Sequence, residues 1–162
     1  MEAKERIAFL VEKLQLIPHP EGGYYSETYR SDALVGTDSG QRNLSTAIYF
    51  LLTSESVSKF HRIKSDELWF FHEGSTLTVH TLGELGHQQL SLGYPSNKNK
   101  SVAQQLVPAN TIFGSTVDEP DSYALVSCVV SPGFDFKDFE LFSETTLLKD
   151  FPESSNIIKK LT

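Results

Sequence analysis

The stretch from His61 to Gly74 holds side chains whose types and spacing could do acid–base chemistry. Glu67 follows His61 by six residues, and Trp69 is the only tryptophan of the chain. A histidine titrates near neutral pH, and a carboxylate that orients it makes it a competent general base. The spacing therefore indicates a His61–Glu67 pair as the candidate catalytic residues. The same pair could instead be an internal hydrogen-bonded contact that lines an inert pocket.

This stretch resembles the first motif of the cupin superfamily, His-x-His-x3-Glu-x6-Gly, which in that superfamily builds a metal site inside a small jelly roll. In this sequence, Ile63 stands in place of the second histidine of the motif. The second cupin motif, Gly-x5-Pro-x-Gly-x2-His-x3-Asn, aligns on Pro108 and then has Phe113 where its histidine is expected. No histidine follows His87, so the second motif supplies no imidazole ligand.

Further segments together resemble a small uncharacterised subfamily of cupins. This resemblance covers nearly the whole domain and implies an RmlC-like jelly roll, a homodimer and a ligand cavity inside the barrel. It implies no known reaction. The segments that carry it are residues 17–24, 27–30, 45–49, 60–61, 65–69, 107–108 and 126–141.

Counting the available ligands predicts that no metal is bound. A catalytic zinc takes three protein ligands, and a facial iron site takes two histidines and one carboxylate. The cupin motif positions offer only His61 and Glu67. On a regular strand Glu67 shares a face with Trp69, and His72 points to the opposite face, so His72 cannot complete the site. We therefore expect neither a metal nor another cofactor.

The elements around these residues predict an all-β fold with helices at its ends. Apolar residues at i, i+3, i+4 and i+7 predict an amphipathic helix over residues 2–16. Short β-rich runs separated by turn residues are typical of a sandwich, barrel or jelly roll, and residues 31–42 read as a loop. Short helices are expected after Ser143 and around residues 154–160. The predicted strands cover residues 24–30, 45–52, 57–64, 66–72, 76–82, 87–92, 103–107, 111–116 and 122–130.

A strand that alternates tyrosines with a carboxylate predicts one wall of a ligand pocket. Tyr25, Glu27 and Tyr29 share one face of the strand 24–30, although an edge strand with one wet face would show the same pattern. The predicted ligand-binding residues are Tyr25, Glu27, Tyr49, Trp69 and Phe113.

Two further residues have both an ordinary and a chemical interpretation. Arg30 could hold a phosphate or carboxylate bidentately, but a surface ion pair is the more common arrangement. Cys128 lies in an apolar run and is expected to be a small buried hydrophobe, because reactive thiols need an electropositive, partly exposed site.

Composition bounds the class of protein. The 162 residues predict one domain over 1–162, with the barrel at about 24–141. The net charge of −7 argues against nucleic-acid binding, which depends on Lys and Arg contacts to phosphates. No membrane span or signal peptide is expected from the apolar runs and from the charged residues 1–6. A single cysteine favours a cytoplasmic protein.

Three functions are consistent with these observations. The first is an uncharacterised cupin that binds a small polar metabolite in its barrel without a metal. The second is a metal-independent epimerase or isomerase of a carbonyl-bearing metabolite such as a nucleotide sugar. It would use the His61–Glu67 pair, with Tyr25, Tyr29 or Tyr49 as the acid. The third is a storage or interaction protein whose pocket is vestigial.

Overall fold

Two antiparallel sheets face each other in the computed structural model, which describes residues 2–162. Met1 lies outside the described residues. It is the first residue of the segment 1–6, from which no signal peptide is expected. The all-β prediction with an N-terminal helix and short C-terminal helices is confirmed. The helices are α1 (Ala3–Lys13), α2 (Glu144–Asp150) and α3 (Ser155–Lys160); the strands are β1 (Ile17–Pro18), β2 (Tyr24–Arg30), β3 (Leu34–Thr37), β4 (Gly40–Asn43), β5 (Thr46–Thr53), β6 (Ser58–Arg62), β7 (Asp66–Gly74), β8 (Leu77–Gly83), β9 (Gly86–Leu92), β10 (Gln104–Val107), β11 (Ile112–Val117), β12 (Tyr123–Ser131) and β13 (Glu140–Leu141).

The order of the strands gives the jelly roll its two layers. One sheet runs β1-β2-β5-β12-β7-β10 and the other runs β13-β6-β11-β8-β9. Inward-facing side chains of both layers form the central core, in which Phe50 and Phe113 pack edge-on against Trp69. Alternation along each strand sends one set of residues into this core and the other set outward. The chain therefore needs no long helix to bury its apolar surface.

The N-terminal helix covers the outer face of the six-stranded sheet. Leu10 is buried there against Leu51 and Leu125, and Ile7 and Val11 pack around it. These helix residues belong to the apolar face that the sequence predicts, so the predicted packing role of α1 is confirmed.

Residues 31–42, predicted as a loop, instead contain a short hairpin of β3 and β4. The content of Asp, Ser and Gly suggested a loop, but these residues make a tight turn in which the Thr37 hydroxyl donates to the Gly40 carbonyl at 2.6 Å. Arg42 of β4 also donates two hydrogen bonds to Asp138, at 2.7 and 2.9 Å. Local hydrogen bonds and a long-range ion pair thus stabilise strands that carry little apolar surface.

The C-terminal helices form a second core with the five-stranded sheet. Leu147, Ile158 and Leu161 are fully buried against Phe60 and Leu82. The Ser143 hydroxyl accepts a hydrogen bond from the Thr146 amide, which confirms the predicted cap at the start of α2.

Shortening Leu161 to alanine should destabilise the protein by about 2–5 kcal/mol, because the change removes buried methyl groups and leaves a cavity. Chemical denaturation measures this loss. Leu85, which is 82% exposed, supplies the matched control, and Leu85→Ala should change stability by less than about 0.5 kcal/mol. Equal denaturation midpoints for the two variants would show that burial of Leu161 contributes nothing to stability.

Among residues 2–162, no helix has the length and apolar character that a membrane crossing requires.

Candidate functional site

A cavity of about 280 Å³ opens between the two sheets. Its floor comes from β2, β5, β12 and β7, which are neighbours in the six-stranded sheet, and β6 contributes from the other sheet. The segment 134–136, in the connection from β12 to β13, also contributes to the lining. His61 and Glu67 both line this cavity, as do Tyr25 and Glu27. The cavity is therefore the place where the predicted catalytic residues meet.

The carboxylate bonded to His61 is Glu21, and not the predicted partner Glu67. Glu21 Oε2 lies 2.7 Å from His61 Nε2. The other ring nitrogen, Nδ1, lies 2.6 Å from the backbone carbonyl oxygen of Lys59. A carbonyl only accepts, so Nδ1 carries a proton, and the contact with a carboxylate favours a proton on Nε2 as well. His61 is thus an imidazolium with both N–H groups engaged.

The pKa values of this pair agree with an ion pair. Burial alone would lower the pKa of His61, but the charge of Glu21 and its hydrogen bond raise it above its usual value. Burial alone would raise the pKa of Glu21, but the charge and hydrogen bond of His61 hold it below its usual value. His61 in this state has no free lone pair with which to take a proton from a ligand.

A glycine turn brings Glu21 into the site. The Lys59 amide donates to the Glu21 carbonyl at 2.7 Å, which ties the turn to β6. Gly22 has φ +111°, and a Cβ atom there would lie 2.0 Å from the Val57 carbonyl oxygen. Only glycine accepts both the left-handed backbone and this close approach.

Glu67 is the buried carboxyl that lacks a charged partner. It is only 8% exposed, and within residues 2–162 no basic side chain lies within salt-bridge distance of it. Burial, reinforced by the negative charge of Glu21, raises the pKa of Glu67 to about 7, although His61 and a hydrogen bond with Cys128 oppose this. Glu67 therefore exchanges its proton in the physiological range.

Cys128 lies beside Glu67 and is almost completely buried. Burial raises the pKa of its thiol, and the charges of Glu67 and Glu21 raise it further. A thiol in such surroundings stays protonated and is a poor nucleophile.

The five predicted ligand-binding residues divide into three groups. Tyr25 and Glu27 line the cavity. Trp69 and Phe113 are buried in the core and do not line the cavity. The centroid of the Phe113 ring lies 4.2 Å from that of the His61 ring, so the two rings pack against each other. Tyr49 does not reach the cavity: it packs near α1 and beside His72 on the outer face of the six-stranded sheet.

The position of Tyr49 follows from the alternation of β5. Its neighbours Ile48 and Phe50 point between the sheets, Ile48 into the cavity and Phe50 into the core. A residue between two inward-facing positions must point outward. The sequence run 45–52 is apolar on both faces, so its pattern does not predict which face points between the sheets.

Several cavity residues were not predicted from the sequence. Glu21 and His19 come from the turn before β2, and Phe134, Asp135 and Phe136 come from the connection after β12. The available signal was a histidine and a carboxylate two residues apart within a Gly-rich turn. Nothing in the spacing connected that turn with His61, forty residues further along the chain.

Arg30 lies at the edge of the cavity and is already paired. It donates to both oxygens of Glu27, at 2.7 and 2.9 Å, and to the Phe134 carbonyl at 3.0 Å. The Arg30–Glu27 contact is therefore an ion pair, which was the alternative to anion binding in the sequence analysis.

The donor set does not fit the metal that the cupin motif holds. Ile63 lines the cavity and Phe113 is paired with His61 across β6 and β11, so apolar side chains occupy the two further histidine positions. Both nitrogens of His61 are engaged. Over residues 2–162, no group of three or more His, Cys, Asp or Glu side chains is arranged to hold a metal ion.

Comparison with known proteins gives relatives without an assigned activity. The uncharacterised protein YML079W of Saccharomyces cerevisiae is 34% identical over an alignment of 146 residues, which covers 80% of this chain and 71% of the yeast protein. A hypothetical protein from Leishmania major has a solved structure with a TM-score of 0.89 and 40% identity, covering 96% of this chain and 97% of the other.

Two further solved structures extend the comparison. A protein of Shewanella oneidensis matches with a TM-score of 0.88 and 39% identity, covering 100% of this chain and 98% of the other. Oxalate decarboxylase of Bacillus subtilis matches with a TM-score of 0.56 and only 12% identity, so it shares the fold alone. The model of the family described as Cupin superfamily (DUF985) matches residues 8–142. The chain is therefore a member of this cupin family.

Proposed function

We propose that the cavity binds a small polar metabolite without the help of a metal, with Glu67 as its principal polar contact. The observation that carries this proposal is a carboxyl that is 8% exposed, faces the cavity and has no basic partner among residues 2–162. Carboxyl groups are rarely buried without a partner, because desolvation of the charge is costly. A ligand that bonds to Glu67 would supply the missing partner.

The size of the cavity supports a compact ligand. Its volume of about 280 Å³ lies at the low end of the range of small-molecule sites. A nucleotide sugar could place only part of its structure inside. The mixture of apolar walls, such as Ile48 and Val130, with a few polar groups is also typical of such sites.

A thermal-shift screen of small metabolites tests the proposal. A ligand present at 100 times its Kd should raise the free energy of unfolding by about 2.7 kcal/mol, which for a chain of this size raises the Tm by about 5–10 °C. Glu67→Gln should reduce that shift, because the change removes the charge and keeps the size. The matched control is Glu153→Gln, at an exposed glutamate outside the cavity.

Two outcomes would contradict binding in this cavity. One is a ligand-induced shift of the same size in Glu67→Gln as in the wild-type protein. The other is the absence of any shift across the panel, which would favour a vestigial pocket in a storage or interaction protein.

A second candidate function, proton transfer in an isomerase, is supported by the pKa of Glu67 near 7. A group with this pKa is well matched to general acid–base catalysis at neutral pH. In this version Glu67 moves the proton, and the His61–Glu21 ion pair positions neighbouring groups and supplies fixed charge. Of the three tyrosines considered as the acid, Tyr25 lines the cavity, whereas Tyr29 and Tyr49 do not.

Exchange of a substrate proton with deuterated solvent distinguishes catalysis from binding. For a ligand found in the screen, an isomerase should incorporate deuterium next to the carbonyl, with a rate that changes near pH 7. Glu67→Gln should abolish the exchange, and Glu153→Gln should preserve it. Binding without any exchange in the wild-type protein would exclude the isomerase and leave the binding function intact.

A further inference from the structure

The cations that line the cavity are already neutralised by carboxylates. Arg30 is bound by both oxygens of Glu27, and His61 is bound by Glu21. An anionic ligand would have to displace one of these carboxylates from its partner. The structure therefore offers no unpaired positive charge within the cavity lining.

The negative charges of the cavity are not fully neutralised. Glu67 has no basic partner in the part of the chain that the structure describes, residues 2–162. Asp135 lies 3.9 Å from the Nε atom of Arg42, but that guanidinium makes its two short hydrogen bonds with Asp138. When Glu67 is ionised, its carboxylate and that of Asp135 thus leave the cavity with an excess of negative charge.

Aromatic rings complete the lining. The rings of Tyr25, Phe134 and Phe136 all border the cavity, and Phe134 and Phe136 pack edge to face with their centroids 4.8 Å apart. An aromatic ring attracts an organic cation through its π face, and several rings around one space are typical of sites for ammonium groups. Such rings also accept the alkyl groups that such ligands carry.

We propose that the ligand of this cavity is a small organic cation whose ammonium group lies against the carboxylate of Glu67 and beside the rings of Tyr25, Phe134 and Phe136. This inference rests on the proposed binding function and specifies the chemical class of its ligand. In the free protein a proton on Glu67 compensates for the missing cation. The charge that the ligand brings then takes the place of that proton.

The exchange of a proton for a cation links binding to pH. The other groups of the cavity lining that can ionise are His19, Glu21, Tyr25, Glu27, Arg30, His61, Cys128 and Asp135. Burial raises the pKa of the Cys128 thiol, which therefore stays protonated beside Glu67. Glu21 and His61 form one ion pair and Glu27 and Arg30 another. Burial lowers the pKa of His19, whose Nδ1 atom accepts a hydrogen bond from the Glu21 amide and so carries no proton. Below pH 7 the affinity for a cation should therefore fall by up to about tenfold per pH unit, as protons compete for Glu67.

Calorimetry with matched pairs of probes tests this class of ligand. The first pair is choline and its neutral isostere 3,3-dimethylbutan-1-ol, and the second is 2-aminoethanol and ethylene glycol; acetate represents anions. The cation of at least one pair should bind about tenfold more tightly than its neutral partner. Titrations in two buffers of different ionisation enthalpy should show proton release at pH 6.5. Glu67→Gln should lose the preference for the cation, and Glu153→Gln should keep it.

The other outcomes separate this inference from the binding function on which it rests. Neutral probes or acetate that bind as tightly as the cations, in a manner that depends on Glu67, would overturn the cationic class and leave metabolite binding in place. Binding of a cation without proton release, and unchanged in Glu67→Gln, would also overturn it. Failure of every probe and of every metabolite in the thermal-shift screen would overturn both.

Discussion

Glu67→Gln is expected to stabilise the ligand-free protein at pH 8 by about 3 kcal/mol. The pKa of Glu67 is raised from 4.5 to about 7 in the folded protein, mainly by burial. Each pKa unit corresponds to about 1.4 kcal/mol. Because the folded state holds this proton more tightly than the unfolded state, the carboxyl progressively destabilises the fold as pH rises from 4.5 to about 7. Glutamine cannot ionise, so it avoids that loss.

The difference between variant and wild type should itself depend on pH. At pH 4 Glu67 is protonated in both the folded and the unfolded state, and this electrostatic advantage of glutamine should vanish. Above pH 7 the advantage should reach its plateau. Urea denaturation across this range measures it, and Glu153→Gln should run parallel to the wild type. A Glu67→Gln curve that also runs parallel to the wild type would show that the pKa of Glu67 is the same in the folded and the unfolded protein.

His61→Ala is expected to destabilise the protein by about 3–5 kcal/mol near pH 6. The change leaves Glu21 buried and without the cation to which it is bonded at 2.7 Å, and an unpaired buried charge costs about this much.

The stabilising contribution of His61 is fully present below its unfolded pKa of 6.5 and is lost as pH rises through its raised folded pKa. The contribution of Glu21 is present above 4.5 and is lost as pH falls through its lowered folded pKa. The cost should therefore be greatest between about pH 4.5 and 6.5.

A double-mutant cycle isolates the ion pair from the loss of packing. In a Glu21→Gln background His61→Ala no longer leaves an unpaired carboxylate at position 21, so it should cost less than it does in the wild type. His72→Ala, at an exposed histidine on the outer face, controls for the removal of an imidazole and should have a much smaller effect. Equal costs of His61→Ala in both backgrounds would mean that the two charges do not stabilise each other.

Glu67→Gln and His61→Ala distinguish the roles of two residues that the sequence predicts to act as one catalytic pair. The sequence spacing suggested that Glu67 orients His61, whereas the structure assigns that task to Glu21. His61 then acts as a structural cation, and Glu67 is the group that is free to bond with a ligand. The expected signatures are opposite: removing the charge of Glu67 stabilises the protein, and removing His61 destabilises it.

The local pattern of apolar residues was sufficient to predict the architecture of the fold. The 3.6-residue period of α1 and the alternation of the strands directly report which face is apolar, and burial of that face decides how each element packs. The same alternation put Glu67 and Trp69 on one face of β7 and His72 on the other, as the structure also has them. The sequence did not predict the hairpin at 34–43, because polar strands with few apolar contacts show no periodic pattern of apolar residues.

The sequence by itself determined a cupin jelly roll, the inward direction of Glu67, and the loss of the two motif histidines at Ile63 and Phe113. Only the tertiary structure decided which carboxylate His61 meets, because Glu21 approaches it from a glycine turn forty residues away, and no local period records a contact between distant segments. It also decided that Tyr49 points outward and that the connection at 134–136 borders the cavity. Strand alternation fixes the relative faces within one element, but the packing of the sheets chooses which face becomes the inside.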